Sequence, residues 1–232
     1  MDTDRRTALM AGGLFIVATL ASLVGTAIEQ PVLQGTDYLT VASTTSGLSA
    51  GAIAELVAAG TSAGIAIALY PVLRRWSSGL ALGSVVFRAM EAVMYTVGTV
   101  ALLAITLVGR ASQTLDAADG RVMHAMADAL MSVRQEAILA GVFAFTIGGL
   151  MYYFIFYRSR LIPRWLSGWG ILAVILMLVA CVLALFSGAP VQTYVPLIVP
   201  IALQEMVLAA WLIVRGFSES AGARRGVAAG SV

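Results

Sequence analysis

The chain contains no lysine, a single cysteine and a single histidine, and it is poor in charge of either sign. Charged residues fill 11% of its 232 positions, where a soluble domain carries roughly a quarter. Too little charge remains to cover a water-facing surface. The lone Cys181 sits in an apolar run, which excludes a disulfide framework and a thiolate metal centre. One histidine excludes haem held by a histidine pair and the converging ligand sets of intramembrane metal hydrolases. No cofactor and no metal are therefore expected. The basic residues form no cluster that would mark a nucleic-acid partner. There is also no nucleotide-binding glycine loop, no serine nucleophile with a base, and no CxxC. That all fourteen basic residues are arginine is explained by genomic base composition.

What the chain has is apolar length. Hydrophobic residues make up 60% and mean hydropathy is +0.93. About 20 consecutive apolar residues cross the hydrocarbon core of a bilayer, and six stretches qualify: residues 7–28, 47–73, 79–108, 138–157, 167–186 and 195–214. Arg5 and Arg6 precede the first, as in a signal peptide, but the run exceeds a signal core of roughly 7–15 residues and reads as a retained helix. Residues 29–46, with Pro31, Gly35 and Asp37, read as a loop. No length remains for a soluble domain. The expectation is an all-α integral membrane bundle of six transmembrane helices forming one domain over residues 1–217, followed by a disordered Gly/Ala/Ser-rich cytoplasmic tail over 218–232.

Arginine placement sets the expected orientation, because positive charge is retained on the cytoplasmic side. With six alternating spans, Arg5, Arg6, Arg74, Arg75, Arg158, Arg160, Arg164, Arg215, Arg224 and Arg225 share one side, against Arg110, Arg121 and Arg134 on the other. Both termini are thus expected in the cytoplasm, with the chain in a bacterial inner membrane. Residues 120–136 are ambiguous. Met123, Met126, Ala127, Leu130 and Val133 recur at helical spacing, with Arg121, His124, Asp128, Ser132 and Gln135 opposite. They form either an amphipathic helix on the outer surface or an outward extension of the fourth span.

Two strings match at four of five positions: Arg75-Trp76-Ser77-Ser78-Gly79 and Arg164-Trp165-Leu166-Ser167-Gly168. Interfacial charge, tryptophan and helix-starting residues account for this most simply; the alternative is a duplicated parallel hairpin, pairing spans two and three with four and five. Gly60-x-x-x-Gly64 and Gly79-x-x-x-Gly83 permit close helix contact within the bundle or between protomers, which leaves homo-oligomerisation open.

Ionisable residues inside a span are costly and face the protein interior. Arg88 and Glu91 in the third span and Glu205 in the sixth lie at similar depth, with Tyr95 one turn beyond Glu91 on the same face. Any one alone would be an unpaired charge in hydrocarbon, whereas together they compensate. The expectation is that Arg88 bridges Glu91 and Glu205. Gln204 adds a polar neighbour, and Pro200 frees the carbonyl of residue 196 just above. Arg88, Glu91, Tyr95, Gln204 and Glu205 are the candidate ligand-binding residues; no catalytic residue stands out. Glu55 faces an outward cavity or reaches the interface, and Arg134 and Glu136 read as marking the membrane edge. His124 and Asp128 supply at most half of a metal site, and read more simply as the polar face of a surface helix. Tyr152, Tyr153, Phe154, Phe156 and Tyr157, close to Arg158, read as an interfacial aromatic belt.

Several strings resemble a family of bacterial membrane proteins described only as a domain of unknown function. They are Leu69-Tyr70-Pro71-Val72-Leu73-Arg74-Arg75, Phe87-Arg88-Ala89-Met90-Glu91-Ala92, Ile162-Pro163-Arg164-Trp165-Leu166-Ser167, Glu205-Met206, and Trp211-Leu212-Ile213-Val214-Arg215-Gly216-Phe217. The resemblance runs from about residue 6 to 217 and implies a helical membrane bundle, with no activity attached. Three functional readings follow from the residues. The first is binding or transport of a small or amphiphilic molecule at the Arg/Glu site. The second is a structural or regulatory protein whose charges staple the bundle. The third is an enzyme using a buried carboxylate on a lipid or isoprenoid. The lipid bilayer is the expected partner in each.

Overall fold

The structure, a computed structural model, describes residues 3–35, 38–44, 46–113 and 117–218. The tail from 219 onward, expected to be disordered, lies outside the described residues. Seven α-helices follow one another: α1 Thr3–Leu33, α2 Tyr38–Thr44, α3 Gly47–Leu73, α4 Ser78–Ser112, α5 Ala117–Ser159, α6 Arg164–Ser187 and α7 Val195–Val214. A short 3-10 turn, Val191–Tyr194, leads into α7. All but α2 are long and apolar enough to cross a membrane, so the six expected spans are present.

Apolar residues point both ways. Phe15, Ile65, Leu69, Tyr152, Phe156, Leu166, Cys181 and Leu208 fill a common core. Leu23, Ile53, Leu107, Leu172 and Phe186 face outward, Phe186 with 85% exposure. In water that outer surface would drive association; against lipid tails it costs nothing. Packing follows chain order. α1 lies against α3, α3 against α4, α4 against α5, α5 against α6, and α6 against α7, which returns to α1. The six spans close on themselves.

One end of the bundle is tied by arginines. Arg5 donates to the carbonyls of Leu212 and Ile213 at 3.2 and 2.6 Å, sharing Leu212 O with the Gly216 amide and placing a cation at the negative pole of α7. Arg75, from the α3–α4 turn, grips both carboxylate oxygens of Asp4 at 2.8 and 2.6 Å. The Ser218 amide donates to Leu161 O in the α5–α6 turn. The start of α1, both of these turns and the end of α7 therefore share one face. Gly216 ends α7 at φ 71°, a conformation suited to glycine.

The opposite end differs from the sequence expectation. Residues 29–33 continue α1, and α2 forms within the segment read as a loop. α5 is one helix of 43 residues, roughly 64 Å at 1.5 Å per residue, so residues 120–136 extend the fourth span rather than forming a separate surface helix. The cause is a second, smaller core. Leu39 and Ala42 of α2 pack with Leu48 and Ala52 of α3, Leu102 and Ile105 of α4, and Ala127 of α5. The Tyr38 hydroxyl donates to Asp128 at 2.6 Å, fixing α2 on α5; burial and this bond push the Tyr38 phenol above its ordinary pKa.

Because Arg5 holds α7 while Arg6 is exposed, Arg5→Ala is expected to destabilise the protein by about 1–2 kcal/mol. Arg6→Ala should leave stability within error. Thermal melting of the two variants in detergent checks this.

Candidate functional site

The long α4–α5 contact decides where the charges go. Arg88, Glu91, Tyr95 and Gly98 lie along one face of α4, and each turn of that face meets a small or polar position of α5. A Cβ on Gly148 would come within 3.2 Å of Arg88 Cγ, and one on Gly141 within 2.7 Å of the Tyr95 ring. These two glycines, seven residues apart, let the helices close over Arg88 and Tyr95.

In the inner cluster the guanidinium of Arg88, 2% exposed, lies 3.1 Å from Glu91 Oε2. It also stacks 4.6 Å from the centre of the Phe145 ring. Ser62 of α3 donates to Glu91 Oε1 at 2.8 Å. Glu205 of α7 is partly buried and lies within electrostatic reach of Arg88 and of the Tyr152 hydroxyl. Glu205 is therefore beside the cluster, while the direct ion pair is Arg88–Glu91. Tyr95, partly buried, stands one turn above Glu91. Gln204 is fully buried, accepts a short hydrogen bond from the Tyr153 hydroxyl, and donates to Leu166 O at 3.1 Å. It locks α7 to α5 and α6 next to Glu205.

Tyr152, Tyr153 and Phe156 have no exposed surface. This corrects the reading of that stretch as an interfacial belt; only Phe154 and Tyr157 stay outside, under Arg158 and Arg164 respectively. Helical spacing turns Tyr152, Tyr153 and Phe156 to one inward face, with Tyr153 against Gly170 of α6, where a Cβ would strike its ring at 2.5 Å.

A second cluster, called the outer one, lies toward the end of the bundle that holds α2. Arg134 of α5 donates through Nη2 to Glu29 Oε2 of α1 at 2.6 Å and to Glu55 Oε1 of α3 at 2.5 Å. Through Nη1 it reaches Glu55 Oε2 at 2.9 Å and Gly98 O of α4 at 3.1 Å. Thr99 Oγ1 donates to Glu55 Oε2 at 2.9 Å. Four helices meet on one guanidinium. Arg134 is 6% exposed and Glu29 2%; Glu29 belongs to α1 rather than to the loop the sequence suggested, and Arg134 is buried in the bundle. A signal was present: Ala127, Arg134, Gly141 and Gly148 recur every seven residues and form one stripe of α5.

The two clusters differ in hydrogen bonding. Among the described residues, six buried side-chain polar atoms have no hydrogen-bond partner, and five belong to the inner cluster: Arg88 Nε and Nη1, Glu91 Oε2, Tyr152 Oη and Glu205 Oε1. The sixth is Glu29 Oε1. Buried polar groups are paired in the great majority of cases, so a concentration of open donors and acceptors at one point calls for an explanation. His124, by contrast, contacts Gly120 O on the exposed outer part of α5, and Asp128 is engaged by Tyr38.

The chain belongs to a family described as Domain of unknown function (DUF4386), whose model matches residues 10–216. The match includes both charge clusters and every candidate ligand-binding residue. No curated protein and no solved structure matches the chain.

Removing the cation of the outer cluster would leave two buried carboxylates facing one another. Arg134→Gln is expected to cost about 3–5 kcal/mol, enough to lower the yield of monodisperse protein sharply. Size-exclusion profiles and thermal melting in detergent measure the loss.

Proposed function

We propose that this member of the family binds or passes a small or amphiphilic molecule at the intramembrane site formed by Arg88, Glu91, Tyr95 and Glu205, with Gln204 holding α7 in place beside it. The observation that carries the reading is the set of five buried polar atoms on α4, α5 and α7 that make no hydrogen bond, two of which, Arg88 Nη1 and Glu91 Oε2, meet only as an ion pair at 3.1 Å. Two are guanidinium donors, two are carboxylate oxygens, and the fifth is a phenol that can donate or accept. A guest with both a donor and an acceptor satisfies them; apolar packing does not. A structural staple has its hydrogen bonds made internally, as Arg134 does.

Partial exposure of Glu205 and Tyr95 supports access to the site. Their neighbours are aromatic: Tyr152 beside Glu205 and Phe145 beneath Arg88. A polar head held by the charges, with an apolar body along these rings, is the guest that such lining favours. Membrane orientation belongs to the same reading. The face where Arg5, Arg75 and the α5–α6 turn gather is assigned to the cytoplasm of a bacterial inner membrane by the positive-inside rule.

Native mass spectrometry of the protein released from mild detergent tests the reading. Wild type should carry an adduct of discrete mass, and Glu205→Gln should retain monodispersity and melting temperature while losing that adduct several-fold. Loss of monodispersity in Glu205→Gln, or an adduct it keeps in full, would overturn the site and favour the staple.

A further inference from the structure

The outer cluster has a charge balance that hydrogen bonding alone does not settle. Two carboxylates, Glu29 and Glu55, share one guanidinium nitrogen at 2.6 and 2.5 Å. Both oxygens sit on the same nitrogen, so the two carboxyl groups are crowded against each other. Carboxylate oxygens only accept, so a contact between two carboxyl groups becomes a hydrogen bond only when one carries a proton. Two ionised carboxylates so placed repel, and with Glu29 and Arg134 buried and the Glu55 side chain 21% exposed the repulsion is only partly screened.

The surroundings supply no further positive charge among the described residues. The α5 side contributes Arg134, and the α4 side contributes the Gly98 carbonyl and the Thr99 hydroxyl. The α1 and α3 sides contribute the two acids. Glu29 Oε1 is buried without a hydrogen-bond partner and points over Gly51, where a Cβ would come within 2.5 Å of Oε1 and of Cγ. Gly51 is thus the floor of a cradle shaped for this carboxyl group.

We propose that Glu29 and Glu55 form a proton-binding site that holds one exchangeable proton between them across Arg134. With the proton bound the cluster is neutral, one carboxylate balancing one guanidinium. On release, the proton leaves one carboxyl oxygen for water, and the cluster carries one negative charge that is shared by both acids. The site is joined to the inner cluster by two rungs between α3 and α4. Glu55 meets Thr99 at one rung, and Ser62 meets Glu91 at the other. Glu55 and Ser62 are seven residues apart on α3, and Glu91 and Thr99 eight apart on α4, so the rungs lie on one seam two turns long. Thr99 also donates to Tyr95 O at 2.9 Å. The proton site stands on its own geometry and does not depend on a guest at Arg88.

Infrared spectroscopy of the full-length protein in nanodiscs near neutral pH reads the protonated carboxyl group directly, by a C=O band that shifts on exchange into deuterium oxide. Wild type is expected to show this band, and Glu29→Gln and Glu55→Gln should each lose one component that Glu205→Gln keeps. Absence of any such band in wild type would sink the proposal without recourse to variants. So would spectra of the Glu29→Gln and Glu55→Gln proteins that match wild type. A wild-type protein lacking the band but stabilised by sodium would mean that a metal cation holds the place assigned to the proton.

Discussion

Everything polar in this bundle depends on one constraint, that a charge in hydrocarbon must find its partner within the protein. The α4–α5 pairing meets it by register. Going along the antiparallel pair, Arg88 lies opposite Gly148, Tyr95 opposite Gly141, and Gly98 opposite Arg134. Each long polar or aromatic side chain on one helix faces a missing side chain on the other. Shifting either helix by one residue would rotate its polar stripe by about a hundred degrees, toward lipid or into the core. Register and charge placement are therefore the same requirement.

Two arginines meet that requirement differently. Arg134 has four acceptors on three helices within 3.1 Å, and its removal would strand two acids. Arg88 has one ion pair, made by Nη1, an aromatic face, and two nitrogens, Nε and Nη1, that make no hydrogen bond. Both are buried to the same degree, so depth does not distinguish them. Completeness of hydrogen bonding does, because low dielectric strengthens a satisfied network and penalises an open one. The outer cluster has the character of a joint between four helices. The inner cluster leaves donors and acceptors without hydrogen bonds, which is what the proposed guest would complete.

The sequence made the six spans legible because hydrocarbon thickness fixes their length, and it made the Arg88–Glu91 pair legible because three residues on a helix return to one face. Glu205 lies within electrostatic reach of Arg88 but without the direct bridge expected from the sequence, since Arg88 pairs with Glu91 on its own helix. The outer cluster was illegible for a definite reason. Glu29 lies two residues before Pro31 and next to a polar stretch, so local signals favoured a loop, whereas the second core keeps α1 helical through Leu33. Arg134 stood near an expected boundary, and only the seven-residue stripe through Gly141 and Gly148 places it inside. The aromatic run 152–157 failed in the opposite sense. Composition suggested an interface, but the glycine that makes room for Tyr153 is Gly170, on another helix. Partners far apart in sequence decide such positions, and no local pattern reports them.

The α3–α4 seam explains why two charge sites in one small bundle should be considered together. Ser62 and Glu55 rise from one helix and bond to Glu91 and Thr99 of the other, so a shift of α3 against α4 alters both clusters at once. A change of charge at Glu55 alters the acceptor strength seen by Thr99 and the hold of Arg134 on α1 and α5. A change at Glu91 is met by Ser62 on the same face of α3. Rigid helices joined at two rungs transmit such changes without any intermediate pathway of contacts. Coupling between the sites needs differential bonding in two arrangements of that seam, and charged groups shared between helices are the ones whose bonding such a shift changes most.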